Sequence, residues 1–90
     1  MREIRRTGQF KRDVKRMEKR GKGFSELRHV IELLATGEPL EPRHRDHPLS
    51  GGYSGARECH VEPDWLLIYE RTQYELILVR TGTHSDLFGR

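Results

Sequence analysis

The run Trp65-Leu66-Leu67-Ile68-Tyr69 is the longest apolar stretch in the chain. Side chains alternate faces along an extended backbone, so a run apolar at every position reads as a central strand of a sheet. It is far short of the roughly 20 residues that a membrane-crossing helix needs. With 90 residues and 33% hydrophobic content, the chain can build only a small core around that strand. One domain spanning residues 1–90 is the expectation.

The rest of the pattern supplies neighbours for the strand. Tyr74–Arg80 is rich in Leu, Ile and Val and should pair with it across a hairpin at Arg71-Thr72-Gln73. Gly55–His60 reads as a shorter, more polar strand, and residues 2–6 as an edge strand with Ile4 inward. Thr7 can cap a helix in which Phe10, Val14 and Met17 form a narrow apolar stripe, ended by Gly21-Lys22-Gly23. Ser25 can cap a second helix that buries Leu27, Val30, Ile31 and Leu34 and stops at Thr36-Gly37. Residues 37–55, with Pro39, Pro42, Pro48, Gly51, Gly52 and Gly55, read as an ordered loop. Thr81 to Phe88 reads as a turn with a helical turn. The fold class is therefore α+β, a β-α-α-β-β-β domain with a mainly antiparallel sheet and the helix hairpin on one face.

Charge is distributed unevenly. Residues 1–45 carry thirteen Lys or Arg against seven Asp or Glu, whereas residues 46–90 carry four against seven. A basic first helix presenting Lys11, Arg12, Lys15, Arg16, Lys19 and Arg20 is the charge distribution of a polyanion-binding surface. A solvated helix face is the plainer explanation for such a run. Cys59 is the only cysteine, so no intramolecular disulfide can form and no oxidising compartment is required. Met1 is followed by charged residues rather than an apolar segment, so a soluble cytoplasmic protein is expected, with no membrane association.

Three histidines sit in short polar signatures: Asp46-His47-Pro48-Leu49, His60-Val61-Glu62-Pro63-Asp64-Trp65 and Thr81-Gly82-Thr83-His84, the last followed by Leu87-Phe88-Gly89. Imidazole exchanges protons near neutral pH, so three imidazoles and a carboxylate can serve as acid and base on a phosphodiester without a metal. Each position alone has a bland explanation: Asp64 as a turn residue, His47 as a surface histidine, Phe88 as core. Their joint placement on loops at neighbouring strand ends points to one site. His44-x-x-His47, His60-x-x-x-Asp64 and His84 also hold enough ligands for an open zinc site. None lies on a helix at a motif spacing, so no metal and no cofactor are expected. Gly51-Gly52 lacks the Lys-Ser/Thr of a phosphate loop. Trp65 and Tyr69 belong to the sheet core, and His29 to the second helix as a structural residue.

These signatures, together with Ile68-Tyr69 and Arg80, resemble the YafQ family of type II toxin–antitoxin toxins within the RelE/ParE superfamily. The resemblance runs over essentially the whole chain. It implies an endoribonuclease that enters the ribosomal A site and cuts the mRNA codon there, inhibiting translation. The residues implied as the active site are His47, His60, Asp64, His84 and Phe88. A cognate antitoxin, usually a DNA-binding ribbon-helix-helix protein, is implied as well, with operator DNA bound only through the complex. Cys59 stands where better-known members carry a small residue.

The chemistry expected for such a site follows from RNA itself. The 2′-OH is the nucleophile, a base takes its proton, and an acid protonates the 5′-oxygen, leaving a 2′,3′-cyclic or 3′-phosphate end. His84 is the leading acid, Asp64 with His60 or His47 the base side, Arg57 and Arg80 possible phosphate contacts, and Phe88 a stacking platform. The competing expectations are a ParE-like toxin without nuclease activity and a non-enzymatic RNA- or ribosome-binding module.

Overall fold

The computed structural model describes residues 1–53 and 55–89. Its elements are β1 (Glu3–Arg6), α1 (Gly8–Lys19), α2 (Ser25–Thr36), β2 (His47–Pro48), β3 (Arg57–Glu62), β4 (Trp65–Arg71), β5 (Glu75–Gly82) and α3 (His84–Phe88). Two short 3-10 turns, Pro42–His44 and Gly51–Tyr53, flank β2. The sheet order is β1-β5-β4-β3-β2, antiparallel throughout except that β1 runs parallel to β5. The α+β class expected from sequence is what the chain forms. A fifth strand is added, because His47 and Pro48 pair with Glu58 and Arg57 inside the segment expected as loop.

Local chemistry fixes the helices. The Thr7 hydroxyl oxygen accepts from the Phe10 N–H at 3.0 Å and donates to the Val79 carbonyl at 2.7 Å, so one residue starts α1 and ties it to β5. Gly37 ends α2 at φ 82°, a left-handed conformation that favours glycine. Ser25 does not cap α2. Phe24 holds the cap position without a side-chain hydrogen bond, and its ring instead packs edge-on against Trp65 at 5.8 Å.

Alternation along β4 sorts the core into two layers. Trp65, Leu67 and Tyr69 point to the face covered by α1 and α2, where they join Phe10, Met17, Leu27, Val30, Leu34, Cys59, Leu76 and Leu78. Leu66 and Ile68 point the other way and are closed over by Ala56 and by Leu87 of α3, with Leu49 and Tyr53 beside them. This explains why the strand is apolar at every position: both of its faces are covered. Each such side chain, fully buried, stabilises the fold by about 1.5–3 kcal/mol. The Trp65 indole N–H donates to the Thr81 hydroxyl at 2.8 Å, and that hydroxyl donates to the Leu66 carbonyl at 2.7 Å, which satisfies the buried polar groups.

Candidate active site

Register brings the site together on the sheet face opposite α1 and α2. Residues directly opposite in paired strands share a face. His47 lies opposite Glu58, Glu58 opposite Ile68, and Ile68 opposite Arg80. His60 lies opposite Leu66, which lies opposite Gly82. His47, Glu58, His60 and Arg80 therefore share one face, and Asp86 fills the space that a side chain at Gly82 would take. The strand limits differ from those expected. β3 runs two residues further than Gly55–His60, so His60 lies within the strand, beside a bulge between His60 and Glu62, and the turn is Pro63-Asp64. The β4–β5 turn likewise falls at Thr72-Gln73-Tyr74, where the Thr72 hydroxyl accepts from the N–H groups of Tyr74 and Glu75.

His84 is the first residue of α3, behind a Thr83–Asp86 capping box. Asp64 Oδ1 accepts from both the His84 backbone N–H at 3.0 Å and His84 Nδ1 at 2.6 Å. The two bonds hold the Asp64 carboxyl below its usual range, the backbone one first. They also fix the ring: Nδ1 carries the proton toward Asp64, leaving Nε2 to exchange one with a substrate. The His60 ring stands edge-on to His84 at 5.7 Å between centroids. At the other end of α3, Phe88 is 39% exposed and meets Tyr53 edge-on at 6.1 Å.

The second pair is His47 Nε2 with Glu58 Oε2, 2.8 Å apart. Glu58 stands in none of the histidine signatures of the sequence, although it lies two residues before His60 and so shares its face by strand alternation. It is 6% exposed and its Oε1 has no hydrogen-bond partner among the described residues. His47, Glu58 and His60 offer donor atoms that all lie within 4.8 Å of one another, a set with the chemistry of a transition-metal ligand group. His44, counted among the sequence's candidate ligands, is elsewhere. It is buried, with Nδ1 2.6 Å from the His60 carbonyl oxygen, and serves the packing under β3.

The fold gives several of these side chains partners distant in the chain. Asp64 bonds His84, not His60 or His47. Arg57 is engaged by Asp46 at 3.2 Å, where the same carboxylate oxygen accepts from the Tyr69 hydroxyl at 2.6 Å. Arg80 is held through Nε and Nη2 by the buried Asp13 at 2.9 and 3.0 Å. On the first helix, Lys11, Arg12, Lys15 and Lys19 are exposed and make no ion pair with a described residue. Arg16 and Arg20 do not stand free. Arg20 binds Asp86 bidentately at 2.6 and 2.9 Å, and Arg16 approaches the same carboxylate at 3.8 Å.

A helix pair on one side of a small, mainly antiparallel sheet is the architecture of RelE-like toxins. Residues 2–89 match the model of the YafQ family, bacterial toxins of type II toxin–antitoxin systems. The chain belongs to that family. It is 46% identical over 89 residues to the mRNA interferase toxin YafQ of Escherichia coli K12, covering 98% of this chain and 97% of the relative. The toxin in the E. coli DinJ–YafQ complex superposes with a TM-score of 0.91 at 46% identity, covering 99% of this chain and 100% of that one. A metal-bound toxin from Helicobacter pylori superposes with a TM-score of 0.91 at 43% identity, over 98% and 100% of the two chains.

Proposed function

We propose that this chain, acting as one RelE/YafQ-like toxin domain in the cytoplasm, is a ribosome-dependent endoribonuclease that cuts mRNA at A-site codons and so stops translation. The observation that carries the reading is the Asp64–His84 pair, which leaves one imidazole nitrogen available beside His60. Protonated His84, steadied by Asp64, gives its Nε2 proton to the departing 5′-oxygen. The base side falls to His60 or to His47, whose partner Glu58 stabilises the cation that forms on accepting the 2′-OH proton. Arg80, aimed by Asp13, meets the non-bridging oxygens, and Phe88 with Tyr53 behind it offers a face to a base. In-line attack then leaves a 2′,3′-cyclic phosphate, opened to a 3′-phosphate by water. Two placed proton transfers contribute about 10²–10⁴-fold each.

The residues also fit a metal. His47, Glu58 and His60 would hold a transition ion, which would supply Lewis-acid chemistry when bound. The acid–base steps use the same side chains directly, so the proposed cleavage proceeds without a cation. The antitoxin partner follows from the E. coli relative, solved in complex with DinJ. We take this chain to have a cognate DNA-binding antitoxin of ribbon-helix-helix form, through which alone it would reach operator DNA. No helix among the described residues is long and apolar enough to cross a membrane.

Primer extension on a translated message tests the whole reading. Cuts in codon register that vanish with His84→Ala support it. Ribosome binding without cleavage decides instead for a non-enzymatic module.

A further inference from the structure

The polar edge of α1 is tied to the site by a continuous network. Gln9, Asp13, Arg16 and Arg20 recur at spacings of four, three and four, which places them on one helix face beside the apolar stripe. Gln9 Nε2 donates to Asp13 at 3.2 Å, and Asp13 grips Arg80. Arg16 lies 3.5 Å from Asp13 and 3.8 Å from Asp86, bridging them, and Arg20 closes on both oxygens of Asp86. Asp86 accepts the Thr83 N–H at 3.0 Å as well, one residue before His84. A side chain at Gly82 would meet Asp86 at 3.0 Å, so the carboxylate is seated directly over the strand end that leads into α3.

A helix of five residues has too few internal hydrogen bonds to hold its own orientation. What fixes α3 is Leu87 beneath it, Asp64 at its start and this carboxylate at its centre. We propose that Arg20 and Asp86 are positioning residues for His84: the α1–α3 ion pair sets the angle at which α3 presents the His84 ring. Arg20 thus acts inward on the site, not outward as an RNA contact. The kinetic consequence rests on the nuclease reading above, whereas the structural consequence does not.

Two measurements on full-length Arg20→Gln and Arg20→Lys separate these roles. Long-range proton–nitrogen NMR of the imidazoles reports the His84 tautomer in the free toxin. Single-turnover cleavage at saturating ribosomes, with ribosome affinity measured alongside, reports the chemistry. The expected result is that Arg20→Gln broadens or shifts the His84 nitrogen pattern and slows cleavage by roughly 10- to 100-fold, with affinity unchanged. Arg20→Lys, which keeps the charge and loses the fork, should recover part of both. Should Arg20→Gln prove unfolded by circular dichroism, Asp86→Asn is read by the same two measurements. An unchanged His84 pattern and saturated rate, or a loss of ribosome affinity at an unchanged saturated rate, overturns the proposal. If the native toxin itself cleaves nothing, the nuclease reading fails, and the His84 pattern alone still decides the positioning role.

Discussion

The Asp13 carboxylate, buried on α1, holds the guanidinium of Arg80 on β5 through two hydrogen bonds and also accepts the Thr81 N–H at 3.2 Å. A buried charge is tolerable only when so fully paired. Burial raises the Asp13 pKa, but the bonds from Arg80, Gln9 and Thr81 together outweigh it and the net shift is downward. Asp13→Ala should therefore cost about 3–5 kcal/mol in urea denaturation, since it strands a partly buried arginine. Asp13→Leu with Arg80→Met should recover much of that stability while still failing to cleave mRNA. Full activity in the double variant would remove Arg80 from the chemistry.

The same pair sets a pH dependence. Because the folded-state pKa of Asp13 lies below the unfolded value of roughly 3.9, its contribution is fully present above about pH 4. It is lost as pH falls through the lower folded-state value. Asp86 behaves alike, held low chiefly by Arg20. Thermal melts from pH 7 to pH 2 should show stability falling mainly at the acid end, and Asp13→Asn should flatten that fall. An equally steep acid loss in the variant would assign it to other carboxyls.

Chemistry and stability should separate cleanly by position. His84→Ala and Asp64→Ala change exposed side chains and should abolish cleavage and toxicity while leaving the melting temperature nearly unchanged. Leu66→Ala, at a fully buried site between the sheet and α3, should destabilise by about 2–5 kcal/mol. A folded His84→Ala protein that remains toxic without antitoxin would place the site elsewhere.

Cleavage should survive EDTA, because acid, base and positive charge are all supplied by side chains. Activity lost on chelation and restored by zinc alone would show instead that the His47–Glu58–His60 group works as a metal centre.

Lys11, Arg12, Lys15 and Lys19 remain the cations of α1 with no ion-pair partner among the described residues, and of these Arg12 bonds Gln9. Replacing the three lysines by Gln should weaken ribosome binding and flatten its salt dependence by about one unit of slope per lost phosphate contact. Cut positions and product ends should not change. An unaltered salt slope would leave these charges to solubility or to the antitoxin.

Much of this molecule was legible in the sequence, and for a local reason. Periodicity and punctuation are properties of neighbouring residues, so Thr7 as a cap, Gly37 as a stop and Trp65–Tyr69 as the central strand could be read without coordinates. The His-Val-Glu-Pro-Asp-Trp and Thr-Gly-Thr-His signatures pointed to the family by the same route. Cys59 could be read as a small apolar residue, and complete burial, the main influence, pushes its thiol up to about 12. What the tertiary structure decided were pairings between residues distant in the chain. Alternation already put Glu58 on the face of His60, but only strand register set His47 against Glu58 and so brought it to that face. The turn at Pro63-Asp64 and the start of α3 had to meet in space before Asp64 could choose His84 over the other histidines. Arg16 and Arg20 looked the same as their neighbours in a basic run. Only the return of α3 to the flank of α1 brought Asp86 within reach, and a charge's partner is fixed by distance in three dimensions, which one helix's periodicity does not contain.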